Sequence, residues 1–209
     1  MSGRQSCLRP VVLASGSAAR RDMLSQAGIA AVLQPPGLDE APLKAELRAA
    51  GATADETALA LARAKAEAAL RQWPAGRAAP VVIAADQVLT CGGEWYDKPA
   101  DLAAARRQLL ALRGRTHRLT SAAIVWAGED SPWQAVDSAD LTMRRFGDAA
   151  LDACLARDPQ AALATVGGYR MEGPGLQLFE RFEGDWFTIL GMPLLPVIAR
   201  LRHLGVVPE

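Results

Sequence analysis

Two histidines and three cysteines are all that this chain of 209 residues offers for soft-metal or thiol chemistry. His117 and His203 show no metal-ligand spacing, so both read as structural or surface residues. Cys7, Cys91 and Cys154 form no C-x-x-C pair and are odd in number. They suggest no disulfide framework, and a reducing cytoplasm is the expected setting. Net charge is also lacking: 23 basic residues face 23 acidic ones. No global basic field favours nucleic acid, so any polyanion must be met by a local cluster. No apolar run approaches a membrane span, and the first residues carry Arg4 and Arg9 without the apolar stretch of a signal peptide. Neither a membrane nor a leader is therefore expected. The D-x-D, Cys-x₅-Arg and phosphohistidine patterns of phosphomonoesterases are missing too. Aromatic residues make up 5% of the chain. Of the five tryptophans, Trp95, just before Lys98, is placed for base stacking; the alternative is a core or rim tryptophan.

What is present is alternation of helix and strand patterns, ample for a sizeable core. Val11–Ala14 predicts a strand that runs through a small-residue turn into a helix ending at Ala27. A short strand over Ala31–Gln34 follows, then a charged helix ending near Gly51. Thr53-Ala54-Asp55-Glu56 is a capping box and opens a long helix through Trp73, with Leu59, Ala62, Ala66 and Leu70 near one face. Val81–Thr90 predicts a buried strand, and Asp101 to Gly114 a helix. Arg118–Trp126 and Trp133–Arg145 predict two strands about a loop, and their pairing argues against a purely parallel sheet. After a helix over Asp148–Arg157, the spans Thr165–Met171, Leu176–Phe182 and Trp186–Leu190 read as short strands between glycine turns. A terminal helix covers Pro193–Leu204.

Three segments carry candidate chemistry. In Val-Val-Ile-Ala-Ala-Asp-Gln-Val-Leu-Thr, Asp86 and Gln87 interrupt a buried strand where apolar residues are expected. A carboxylate there is costly unless a cation or metal compensates it, and Lys98 returns to the same end of the sheet after the turn Cys91-Gly92-Gly93. A structural ion pair pinning a hairpin is the plain alternative. Ser15-Gly16-Ser17-Ala18-Ala19-Arg20-Arg21 joins a strand to a helix start, where free N–H groups, hydroxyls and guanidinium donors suit a phosphate. Taken alone, so short a pattern without the glycine spacing of a P-loop reads better as a serine N-cap followed by solvated arginines on a surface helix. Glu172, in the glycine-dense segment 167–175, stands between two β-like stretches and is otherwise a solvated turn carboxylate.

The ordered set Leu13-Ala14-Ser15-Gly16-Ser17, Arg20-Arg21, Asp39-Glu40, Leu61 to Ala66, Ala85-Asp86-Gln87, Lys98-Pro99, Leu112 to His117, Glu172 to Gly175 and Glu183 to Leu194 resembles the Maf-type nucleoside triphosphate pyrophosphatases. Each element is weak alone; together they span nearly the whole chain, read as a single domain over 1–209. The resemblance implies an α/β fold like that of the inosine triphosphate pyrophosphatases: a mixed, twisted central sheet flanked by helices, two lobes and a cleft. It implies hydrolysis of a nucleoside triphosphate to monophosphate and pyrophosphate with a divalent metal, Mg²⁺, Mn²⁺ or Co²⁺. By position, Ser15, Ser17, Arg20 and Arg21 match the phosphate-binding loop, and Lys65 and Lys98 the two phosphate lysines. Asp86 matches the proton acceptor and Glu40 the acidic position, the two carboxylates being the candidates for metal. A homodimer and a link to septum formation are also compatible with the family.

Four positions depart from the family pattern: Ala18 replaces a usual Pro, Asp97 a common Gly, and Thr188 and Met192 the usual Asn and Leu. Asp86-Gln87, Glu172-Gly173 and Leu178-Phe179-Glu180-Arg181 side with members acting on 7-methyl-GTP, with Gln87 and Glu172 as base-selecting residues, while Ala85 matches the dTTP/UTP group. The alternatives are thus a dTTP/UTP pyrophosphatase, or a non-catalytic nucleotide- or DNA-binding regulator of cell division.

Overall fold

The computed structural model describes residues 9–128 and 132–208. Cys7 and part of the loop after residue 127 lie outside them. In chain order the elements are β1 (Val11–Leu13), α1 (Ala18–Gln26), β2 (Val32–Leu33), α2 (Ala41–Ala49), α3 (Ala54–Gln72), β3 (Val81–Cys91), β4 (Glu94–Tyr96) and α4 (Leu102–Leu112). Then come β5 (Thr116–Trp126), β6 (Trp133–Met143), α5 (Asp148–Arg157), α6 (Pro159–Ala164), β7 (Phe179–Glu183), α7 (Trp186–Ile189) and α8 (Leu194–His203). No helix among the described residues is long and apolar enough to cross a membrane.

The strands form one mixed sheet ordered β2-β1-β3-β5-β6-β7, with β4 also on β3. β1 runs parallel to β2 and β3; the other pairings are antiparallel. Because β5 covers one edge of β3 from Val82 to Thr90, β1 and β4 must share the other edge. β1 reaches only to Ile83 and β4 begins at Leu89. The edge is left without a strand over residues 84–88, with Asp86 at the middle of this notch. The notch lies beyond the C-terminal end of β1, a position where open α/β sheets bind ligands.

The alternation of β3 explains its unbroken apolar run. Val81, Ile83 and Ala85 pack with Met23, Leu24 and α8 on one face, while Val82, Ala84 and Val88 pack with Ala58, Ala62, Ala66 and Ala69 of α3 on the other. The Thr53 capping box forms as the sequence indicates, with Glu56 N–H donating to Thr53 Oγ1 and Thr53 N–H to Glu56 Oε2. The buried face of α3 is made of alanines, Leu61 and Lys65 rather than Leu59 and Leu70, which are half-buried at its margins. Small side chains let the helix lie close to the sheet. A third core, around Leu89, Leu109, Leu112, Leu141 and Leu151, fills the β6 end of the sheet beneath α4 and α5.

The three late strand predictions need correction. Thr165–Met171 is not a strand: Gly167 and Gly168 both have φ of 77°, in a short 3₁₀ turn that follows α6. Asp158 caps α6 and Pro159 takes its first position, a start signal that the sequence carries just before the glycine turn. Of the next span only Phe179–Phe182 is strand, and β7 runs on to Glu183 in its pairing with β6. Trp186–Ile189 is helical because Asp185 accepts from Thr188 N–H at 3.0 Å.

His117 lies in the third core, 2% exposed, with Nε2 hydrogen-bonded to Tyr169 Oη at 2.6 Å and its ring against Phe179. Burial pushes its pKa down to about 4. An unfolded chain binds this proton near pH 6.5, so between those values the unfolded state holds more protons and stability falls as pH drops. Wild type should lose about 2–3 kcal/mol through this group between pH 7 and 4.5. Urea unfolding at the two pH values, compared with His117→Phe, measures the difference; equal pH dependence in both proteins would remove His117 as its source.

Candidate active site

Burying an ion unpaired is expensive, so the position of buried charge is informative. Among the described residues the buried Arg, Lys, Asp and Glu side chains are Arg20, Lys65 and Asp86. All three converge on the notch. Lys65, in the middle of the inward face of α3, pairs with Asp86 Oδ1 and lies 2.9 Å from Glu40 Oε1. The direct partner of Asp86 is therefore Lys65, not the hairpin residue Lys98. Glu40 precedes α2, and its neighbour Asp39 takes the Ala41 N–H at 3.1 Å, which leaves the Glu40 carboxylate to Lys65.

Lys98 arrives after β4. It is exposed to solvent, yet its pKa is held below the ordinary lysine value. Desolvation by the surrounding protein is the main cause, followed by repulsion from Arg20 and Lys65; Glu40 and Asp86 act in the opposite sense. These five groups thus share one electrostatic neighbourhood, and three cations against two carboxylates leave it net positive. Asp97, beside Lys98, is bound by Lys44 and by Arg48 at 3.3 Å, so its charge is spent on α2. Arg48 also covers Trp95 at 4.8 Å. Trp95 is half-buried and also packs against the core beneath α3, as a rim tryptophan does.

The loop after β1 forms the serine N-cap, but of its two arginines only Arg21 is solvated, while Arg20 is buried. Ser17 caps α1, accepting from Arg20 N–H at 3.4 Å, while Ser15 Oγ accepts from Ser17 N–H at 3.1 Å and from Arg20 Nη1 at 3.4 Å. Arg20 Nε donates to the Gly191 carbonyl at 2.8 Å. Arg21 does not join: it pairs with Asp22 on the surface at 2.8 Å. Ala18, where proline is usual, begins α1 regularly.

Two residues expected at the site sit elsewhere. Gln87 points to the sheet face opposite Asp86, as alternation requires, and donates through Nε2 to Ser121 Oγ and to the carbonyls of Thr188 and Ile189 at 3.0–3.1 Å. Glu172 lies 3.9 Å from Arg170, which bonds Asp158 at 2.9 Å; no contact joins it to the five-group cluster. Gly191 lies in the Glu183 to Leu194 block of the resemblance without a role of its own there, and the structure sets it against Arg20. Its φ is 105°, and a Cβ there would come within 3.2 Å of the Arg20 guanidinium. The glycine before Met192-Pro193 was its only signal.

As for a divalent metal, the described residues contain no group of three His, Cys, Asp or Glu able to hold one. Glu40 and Asp86 do form a pair of carboxylates around one ammonium. That donor set fits Mg²⁺, which takes one or two carboxylates and completes its shell with water and phosphate oxygens.

An open α/β sheet here presents a serine loop, three cations and a paired carboxylate at one notch, an arrangement suited to an anionic ligand. The sequence model for Maf-like proteins matches residues 10–204, and the chain belongs to that family. It is 50% identical to a nucleoside triphosphate pyrophosphatase of Granulibacter bethesdensis over 92% of this chain and 96% of that one. It is 44% identical to a 7-methyl-GTP pyrophosphatase of Mesorhizobium japonicum and 42% to one of Rhizobium meliloti, each over 94% of this chain and 97% of the relative.

The lowered pKa of Lys98 gives a pH prediction. A lysine is cationic below its pKa, so triphosphate affinity should decline on the alkaline side at lower pH than an ordinary lysine would allow. Binding of a polyanion raises that pKa, so complex formation there should take up protons. Titration calorimetry in buffers of different ionisation enthalpy measures the uptake. Lys98→Arg, which stays charged, should abolish it; unchanged uptake would point to another group.

Proposed function

We propose that this protein hydrolyses nucleoside triphosphates to the monophosphate and pyrophosphate at the notch formed by Ser15, Ser17, Arg20, Glu40, Lys65, Asp86 and Lys98. The single observation that carries the reading is the convergence of all the buried charged side chains of the described residues on one gap in the sheet. The names of the relatives agree with it.

Cleavage between α- and β-phosphates needs an aligned water and a place for charge on departing pyrophosphate. Arg20, Lys65 and Lys98 present cations to the phosphates, and the Ser15 and Ser17 loop adds hydroxyls at the start of α1. Asp86 has one oxygen on Lys65. Its second oxygen orients the attacking water or takes its proton. A triphosphate brings more negative charge than the cluster's surplus can balance, which supports a divalent cation entering with it. Glu40 and Asp86 would hold that ion, whose charge would neutralise phosphate oxygens.

The proposed substrate is 7-methyl-GTP. Support comes from the relatives named for it and from the Asp86-Gln87 and Glu172-Gly173 pairs. With the Gln87 amide bonded on the far face of the sheet, the proposal keeps Glu172, which lies beside Arg170, as its candidate for base selection. Measuring kcat/KM for 7-methyl-GTP, GTP, dTTP and UTP tests this. Wild type should favour 7-methyl-GTP, and Glu172→Gln should reduce its advantage over UTP about tenfold or more. Preference for dTTP or UTP in wild type would assign the other subgroup.

A further inference from the structure

The face of β3 opposite the notch carries a polar network that reaches back to the site. Gln87 gives its amide hydrogens to Ser121 Oγ and to the carbonyls of Thr188 and Ile189 at 3.0–3.1 Å. Ser121 Oγ donates to the same Thr188 carbonyl at 2.8 Å. Thr188 is fully buried; its hydroxyl donates to Asp137 at 2.7 Å and its N–H to Asp185 at 3.0 Å. Gly191 N–H closes the turn on the Thr188 carbonyl at 3.0 Å. Its own carbonyl then accepts Arg20 Nε at 2.8 Å.

We propose that Gln87 is a positioning residue for Arg20: it fixes the segment from Thr188 to Gly191, whose carbonyl aims the guanidinium at the phosphates. The proposal rests on the reading of Arg20 as a phosphate donor. Three features carry it. First, Gln87 has little left to offer a nucleotide base, since its donors are committed to protein acceptors on the far face of the sheet. Second, Arg20 is held by a carbonyl and a hydroxyl, not by a carboxylate in direct contact. Dipoles orient a cation without cancelling its charge, so the charge stays available to a polyanion. Third, Gly191 has a positive φ, and a Cβ there would crowd the guanidinium at 3.2 Å. The carbonyl and the arginine are fitted to each other. Thr188, the departure from the usual Asn, is the residue through which Asp137 and Asp185 brace the same turn.

The test is a double-mutant cycle. Gln87→Met keeps the length of the side chain and removes its hydrogen bonds; Gly191→Ala displaces the carbonyl directly. Each is made in wild type and in Arg20→Ala, with kcat, KM and melting temperature measured for 7-methyl-GTP and UTP. In wild type, Gln87→Met and Gly191→Ala should each lower kcat/KM about ten- to a hundredfold, as expected for a misplaced catalytic donor. In Arg20→Ala, either change should cost less than about twofold, because its target is gone. The ratio between the two nucleotides should not move. Equal losses in both backgrounds overturn the proposal, as does a changed nucleotide ratio, which would make Gln87 a base reader. Should Gln87→Met fail to fold, Gln87→Asn, which shortens the side chain and withdraws the amide from the two carbonyls, takes its place in the cycle. Full activity of Arg20→Ala would instead remove Arg20 from the phosphate site, an outcome distinct from additive losses.

Discussion

Asp86→Asn should lower kcat by about a hundredfold or more while the protein remains folded. The carboxylate sits at the centre of the stretch of β3 that has no strand on one edge, 6% exposed, with Lys65 on one oxygen. An amide of the same shape keeps an acceptor for Lys65 but loses the charge and basicity that activate water. Lys65 retains Glu40 at 2.9 Å, so its own charge is not stranded. The loss should appear in kcat rather than KM, since an interaction strengthened only in the transition state is removed. Near wild-type kcat in folded Asp86→Asn would take Asp86 out of the chemistry.

The lysines should separate from each other. Lys65→Ala removes a buried ammonium that compensates two carboxylates, and it leaves Asp86 buried without a direct partner. Turnover should fall by about 3 kcal/mol in transition-state stabilisation, and folding stability should fall by about 3 kcal/mol as well. Lys98→Ala should lose turnover on the same scale with little change in melting temperature. Lys98 is exposed, makes no ion pair in the described structure, and is repelled by Arg20 and Lys65. Kinetics and thermal melting of both variants decide the matter. Equal destabilisation by the two substitutions would contradict the burial difference between them.

Much of this arrangement is written locally in the chain. The capping box of α3, the apolar run of β3 and the serine turn before α1 each depend on neighbours within a few residues, and all three form as their patterns indicate. Asp86 stands out because a carboxylate interrupts a buried strand, and Lys65 is legible in retrospect as a lysine in the inward face of an alanine-rich helix. The partner of Asp86 was not legible, since the hairpin offers Lys98 by sequence proximity while α3 supplies Lys65 through packing. Gln87 misleads for a related reason. Adjacent residues on a strand face opposite sides, so a motif of two neighbours is divided between two environments. The late glycine-rich spans looked β-like because positive-φ turns and a four-residue helix leave little periodicity to read. Arg21 follows Arg20 directly, yet the turn of α1 sends it outward to Asp22.

Charge gathered at the notch is proposed to cleave the α–β anhydride of a nucleoside triphosphate. The most direct test is product analysis of a complete turnover of 7-methyl-GTP with Mg²⁺, Mn²⁺ or Co²⁺, for wild type and Asp86→Asn. Wild type should yield monophosphate and pyrophosphate in equal amounts with no free orthophosphate, and Asp86→Asn should yield neither at a comparable rate. Release of orthophosphate with the diphosphate, or no turnover of any triphosphate by folded wild-type protein, would contradict it.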